Sequence, residues 1–239
     1  MVKVFREVKR VLKDDGTCWL NLGDSYNGSG GAGGDYNKGG LKEGQPKYNG
    51  RNISTLKPKD LVGIPWRVAF ALQSDGWWLR QDIIWHKPNP MPESVTDRCT
   101  KSHEYIFLLT KSAKYYYDAI KEDSVSDIKK RTRKIGEGQD SKIGTQGSAG
   151  NDGYSNKRSV WTINTQPYKE AHFAVFPPKI PELCIKAGTK EGDTVLDPFF
   201  GSGTTGWVAQ RLGRKWIGIE LNAEYIKIAE KRFIQHELF

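Results

Sequence analysis

The run VLDPFFGSGTTGWVAQ, residues 195–210, constrains this chain more than any other stretch: an apolar strand-like segment breaks into glycines and hydroxyls, then resumes with helical spacing. Glycines between a strand and a helix let a ligand approach the main chain where the first N–H groups of the helix have no partner. A second apolar run, KWIGIEL at 215–221, and a helical pattern over 223–233 follow at once. Strand, turn, helix, strand, helix is the unit of a parallel α/β sheet.

Several ligands suit such a turn, since a helix start favours anions. A phosphate loop needs the GK[ST] ending that residues 201–206, GSGTTG, do not have. The same six residues match the GxGxxG of dinucleotide sites, and Glu220 ends the next strand, where a carboxylate accepts from both hydroxyls of a ribose. Adenosine is therefore better supported than any one adenosine cofactor. Asp197 separates the candidates: a carboxylate beside the turn, followed by Pro198 and Phe199, repels a pyrophosphate and suits a cationic amine or sulfonium. A tight turn with close helix packing is the other reading of the glycines.

The 239 residues carry 37 Lys and Arg against 28 Asp and Glu, a formal charge of +9, which favours a polyanionic partner such as nucleic acid. That length suffices for one α/β domain without disulfides or metal. Cys18, Cys99 and Cys184 form no CxxC pair and the four histidines show no ligand spacing, so a metal-free cytoplasmic protein is expected. No apolar run approaches the ~20 residues of a bilayer span, and no membrane partner is expected.

Residues 2–12, VKVFREVKRVL, read as an amphipathic helix with Val4, Val8, Val11 and Leu12 on one face. TCWLNLG at 17–23 reads as a buried strand, and the Gly, Asn and Ser-rich stretch 24–51 as a long mobile loop. A helix is expected over 59–74, with Pro65 tolerable in its first turn, and Asp75-Gly76 ends it. Strands at 77–87 and 104–111 flank a proline-rich connection and suggest an antiparallel edge pair. From 121 to 156 the chain is charged and glycine-rich, as in an insertion; apolar character returns at 159–163 and in a short helix at 181–187.

LDPFFGSGTT with GIEL, preceded by HFAVFPPKIPELCI, closely resembles the cofactor-binding half of S-adenosylmethionine-dependent DNA methyltransferases that modify adenine N6 or cytosine N4. FREVKRVLKDDGTCWLNLGDSY and DIIWHKPNPMPESVTDRCTKSHEYIFLLTKS are similar to that family's successive blocks in its permuted, beta-type order, so the resemblance spans nearly the whole chain. It implies a Rossmann-like α/β sheet with helices on both faces, S-adenosylmethionine as cofactor and double-stranded DNA as partner. Residues 1–118 would form the N-terminal part of the core, 119–165 a small irregular target-recognition region, and 166–239 the cofactor-binding part of the same core.

Residue by residue, the resemblance puts Asp197, Phe199, Gly201, Ser202, Gly203 and Thr204 around the methionine end and sulfonium, and Glu220 at the ribose. His172, Phe173, Phe176 and Pro177 belong to the block that closes over the cofactor, although ordinary core packing explains Phe176 equally well. Trp85 or Asn89, in WHKPNPMP, would line the target-base pocket; a proline-stiffened connection is the alternative. Lys129, Lys130, Arg131, Arg133 and Lys134 would touch DNA phosphates, unless that charge run is solvated surface.

One family block is not in these 239 residues. Asp, Ser or Asn followed by Pro-Pro and an aromatic residue supplies the acceptor and stacking ring for the target amine, whereas the only Pro-Pro pair, Pro177-Pro178, is flanked by Phe176 and Lys179. No catalytic residue is therefore assigned. In the permuted order the block precedes residue 1, which suggests an N-terminally truncated product, a misassigned start or one half of a split enzyme; loss of the central strand implies marginal stability, rearrangement or a partner chain supplying the missing part. Cytosine C5 chemistry is disfavoured, because its nucleophilic cysteine normally follows proline and none of the three here does.

Overall fold

A computed structural model describes residues 1–28, 53, 55–123, 154–166 and 175–234. In chain order the elements are α1 (Val2–Val11), β1 (Thr17–Leu22), α2 (Ile64–Ser74), β2 (Trp78–His86), β3 (His103–Thr110) and β4 (Lys121–Asp123), followed by β5 (Tyr154–Asn156), β6 (Val160–Thr162), α3 (Lys179–Gly188), β7 (Thr194–Asp197), α4 (Thr204–Arg211), β8 (Lys215–Gly218) and α5 (Ala223–Ile234). Among the described residues, no helix is long and apolar enough to cross a membrane.

The strands form a four-stranded sheet in the order β1-β3-β2-β6, the β4-β5 pair, and a parallel β7-β8 pair. The strands at 77–87 and 104–111 do pair antiparallel, but they are not a sheet edge. β3 runs between β1 and β2, with Leu20 opposite Phe107 and Ile83 opposite Ile106. Residues 106–109 of β3 are accordingly buried in an unbroken row, since both sheet faces are covered. On one face Leu20, Phe107 and Leu109 meet Phe5 of α1 and Ala69 and Leu72 of α2; on the other, Ile83, Trp85, Ile106 and Trp161 meet Ile180, Leu183 and Cys184 of α3.

The buried stripe of α1 differs from the expected one. Phe5 is buried, with Val2, Val8 and Leu12 packed around it, while Val4 and Val11 face solvent. The sequence admits two valine stripes, and the bulk of Phe5 together with the position of the sheet selects the one at 2, 5, 8 and 12. α2 starts five residues later than expected because Gly63 takes a left-handed φ of 73°, and Pro65 falls in the first turn, where its missing N–H costs nothing. The Asp24 carboxylate, just past β1, accepts from the Ile64 N–H at 2.9 Å and so caps this helix from another element.

The segments that lead into β1 and β7 are in contact. The Lys13 ammonium, before β1, is 2.6 Å from the Asp193 carboxylate, before β7, and a Cβ on Gly188 would lie 2.2 Å from Thr17 Oγ1. Past the strands, the Phe199 ring lies 6.5 Å from that of Phe5. The two strands therefore run in the same direction, yet among the described residues β1 pairs only with β3 and β7 only with β8. Among the described residues each thus has an unpaired flank where a continuous sheet would have a neighbour.

Candidate functional site

β1, β2 and β7 run in one direction, so Leu22, His86 and Asp197 end at the same side of the molecule, where ligands bind in α/β sheets. The glycine turn lies there. Gly201 and Gly203 have φ of 52° and 77°, values that residues with a side chain rarely adopt. Their surroundings differ: a Cβ on Gly203 would lie 2.9 Å from Ala229 Cβ of α5, whereas one on Gly201 would meet only the Phe199 carbonyl, at 3.9 Å. Gly203 is needed for packing, whereas the space beside Gly201 is open to a ligand. Gly206 is also a packing glycine, since a Cβ there would be 2.7 Å from the Phe200 ring.

Two carboxylates bracket this turn. Asp197 Oδ1 accepts from the Phe199 N–H at 3.0 Å, which shapes the exit from β7. Glu220 accepts from the Gly201 N–H at 2.8 Å through one oxygen and from the Asn222 N–H at 2.9 Å through the other. A carboxylate has about four lone-pair positions. Glu220 is thus oriented by backbone donors and still has capacity for two hydroxyls. The structure places Asp197 and Glu220 on either side of the turn that carries Gly201.

Other candidates are placed differently. Ser202 is buried, and Thr204, also buried, turns its hydroxyl to α5, where Arg232 Nη1 donates to it at 2.9 Å. Phe199 is exposed and faces Phe5, while the neighbouring Phe200 anchors the turn, stacking on Trp216 at 5.2 Å and on Phe233 at 6.4 Å. Phe176 packs on the cluster of Trp85 and Trp161, and Pro177 is fully buried at the start of α3. His172, Phe173 and the run Lys129, Lys130, Arg131, Arg133 and Lys134 lie outside the described residues.

At the end of β2, Trp85 is 3% exposed, its indole N–H donates to the Ile163 carbonyl at 2.8 Å, and the Lys87 ammonium lies 4.3 Å from its ring. Trp85 is thus packed into the core at this end of β2. Asn89 is tied to Thr165: its Oδ1 accepts from the Thr165 N–H at 2.9 Å. The same rim carries the Lys87–Glu104 ion pair and Lys101, whose ammonium is 4.0 Å from Asp24; burial pulls the Lys101 pKa below its ordinary value despite that carboxylate. Burial also pushes the Cys18 thiol up to about 12 and Cys184 higher still, so neither is poised as a nucleophile.

Three features of this site were missed from sequence. Phe200 is hidden beside a more exposed phenylalanine, and Arg232 is 28 residues from the hydroxyl it serves. Leu221, almost wholly exposed, puts apolar surface next to Glu220; an apolar residue directly after the acid was the available signal.

The family described as DNA methylase, of the N6/N4 class, matches residues 1–231. The chain is 52% identical to the Type II methyltransferase M.SmaI of Serratia marcescens over 98% of its own length and 73% of that protein's. It is 50% identical to the Type II methyltransferase M.Cfr9I of Citrobacter freundii over 97% of this chain and 69% of the relative. Among solved structures, the cytosine-N4-specific PvuII DNA methyltransferase superposes with a TM-score of 0.62 at 23% identity, covering 97% of this chain and 70% of that one. The complex of M1.HpyAVI with SAM gives a TM-score of 0.59 at 19% identity, covering 97% and 81%.

Proposed function

Because this chain belongs to the N6/N4 DNA methylase family, we propose that it serves methyl transfer from S-adenosylmethionine to an exocyclic amino group, adenine N6 or cytosine N4, at specific sites in double-stranded DNA. The observation that carries the cofactor is the open Gly201 turn between two carboxylates, Asp197 and Glu220. Asp197 faces the cationic methionine end, Glu220 accepts from the ribose hydroxyls, and exposed Leu221 offers the adenine an apolar surface. The bound cofactor supplies an activated methyl group. The chain's own part is to hold and orient it, with Phe199 over the sulfonium by the attraction between a cation and a ring face.

Residues 1–118 and 166–239 act in this reading as two parts of one core, with 119–165 recognising the target. The basic run at 129–134 contacts phosphates, which positions the enzyme without reading sequence. His172, Phe173, Phe176 and Pro177 close the cofactor side, and Asn89 borders the base pocket.

We further propose that residues 1–239 alone bind the cofactor without turning it over. The lone pair of an exocyclic amine is delocalised into its base, so reaction depends on acceptors that hold the amino hydrogens and aim the nitrogen. The base must also leave the duplex and be gripped by stacking. The Pro-Pro-aromatic block suited to both tasks is not in this sequence. The unpaired flanks of β1 and β7 favour a second reading, in which the chain is a non-catalytic, DNA-binding subunit complemented by a polypeptide whose strand enters between them.

Transfer of labelled methyl groups to duplex DNA decides. Background incorporation by the 239-residue chain, rising when a fragment carrying the Pro-Pro-aromatic block is added, is the expected result. Robust incorporation by the chain alone would overturn the inactivity. No rise on adding the fragment, together with salt-insensitive DNA binding, would overturn the complementing role.

A further inference from the structure

The glycines do not fix the turn that carries Gly201 by themselves, because glycines at positive φ reach many other conformations at little cost. Backbone bonds from Gly203 to Phe200 and from Phe200 to Ile219, with the Glu220 carboxylate on the Gly201 N–H, hold one side of it, and α5 holds the other. Ala229 and Phe233 close on Gly203, and Arg232, 8% exposed, donates from Nη1 to Thr204 Oγ1 while its guanidinium lies 5.0 Å from the Trp207 ring. Thr204 and Trp207 both belong to the first turn of α4, so one buried side chain grips the helix start at two points. The helix start is where the unpaired N–H groups stand, and the glycine turn joins it to Asp197 at the end of β7.

We propose that Arg232 is a positioning residue for the amino-acid end of S-adenosylmethionine, acting through Thr204; the role rests on the cofactor reading above. The guanidinium has no acceptor, so it binds Thr204 in one sense only and leaves the hydroxyl hydrogen to donate. Without that bond the start of α4 is free to move against Asp197. The α-carboxylate and α-amine of the cofactor would then lose their shared geometry, while ribose and adenine, held on the Glu220 side, would not.

Titration calorimetry of the 239-residue chain with S-adenosylhomocysteine and with 5′-methylthioadenosine tests this. The second ligand keeps adenosine and sulfur and lacks the amino-acid end. Arg232→Met is expected to weaken S-adenosylhomocysteine about tenfold, the scale of one hydrogen bond to a charged group, and methylthioadenosine less than about twofold. Arg232→Lys should recover most of the loss. Thr204→Val should reproduce it, and the double variant with Arg232→Met should lose no more than either single change. Equal weakening of both ligands, or of neither, would overturn the proposal by leaving Arg232 a purely structural role. A wild-type chain that binds neither ligand would overturn the cofactor reading and this inference with it.

Discussion

The sheet around β3 and the β7-β8 pair are built from the same kinds of elements but end in different states. Around β3, helices cover both faces, and Phe107 and Leu109 on one side and Ile106 and Leu108 on the other are out of solvent. In β8, Trp216 and Gly218 meet the rings of Phe200 and Phe233, while Ile217 on the opposite face and Ile219 just past the strand are 55% and 50% exposed. One half closes its own core. The other spends its packing on a single face, the one that shapes the ligand turn. Local order at a binding turn thus needs only one tightly packed side, whereas sheet stability needs two.

Substitutions can break this contrast. The largest effect is expected from Phe107→Ala, at ~3–5 kcal/mol in urea unfolding, against ~0.5 kcal/mol or less for Ile219→Thr on the bare face. Comparable losses would mean that Ile219 is covered in solution. Gly218→Ala should cost ~1–3 kcal/mol, because a Cβ there would lie 2.4 Å from Phe200, and the ring cannot yield without disturbing Trp216. A neutral result would show that the packed face of β8 is looser than its geometry implies.

Glu220→Gln should lower affinity for S-adenosylmethionine by about 1.5 kcal/mol in a calorimetric titration, since the amide keeps only one acceptor oxygen for the donors the carboxylate serves. Unchanged affinity would remove Glu220 from the site. The smallest effect belongs to the Lys13–Asp193 link between the halves. Its hydrogen bond and charge attraction hold the Asp193 pKa below the ordinary carboxylate value, so its contribution is present above the unfolded carboxylate pKa and fades as pH falls through the depressed folded value. Asp193→Asn should therefore flatten the acid side of a pH-stability profile slightly, and added salt should mask the difference. A difference between wild type and variant that is largest in acid, where the carboxylate is protonated, would contradict the assignment.

The sequence by itself determined the order of elements over most of the chain, including the strand-turn-helix at 194–211, because apolar period, glycine and proline act over a few residues. It also marked Asp197, Gly201 and Glu220, which lie within one βαβ step and meet through local geometry. Tertiary structure decided the rest. The central place of β3, the Phe5 stripe of α1, the burial of Trp85, the capping of α2 by Asp24 and the hold of Arg232 on Thr204 each join residues from different elements. A period of 2 or 3.6 shows that a face exists; only the approach of another element determines which face is covered and which side chain is left to bind.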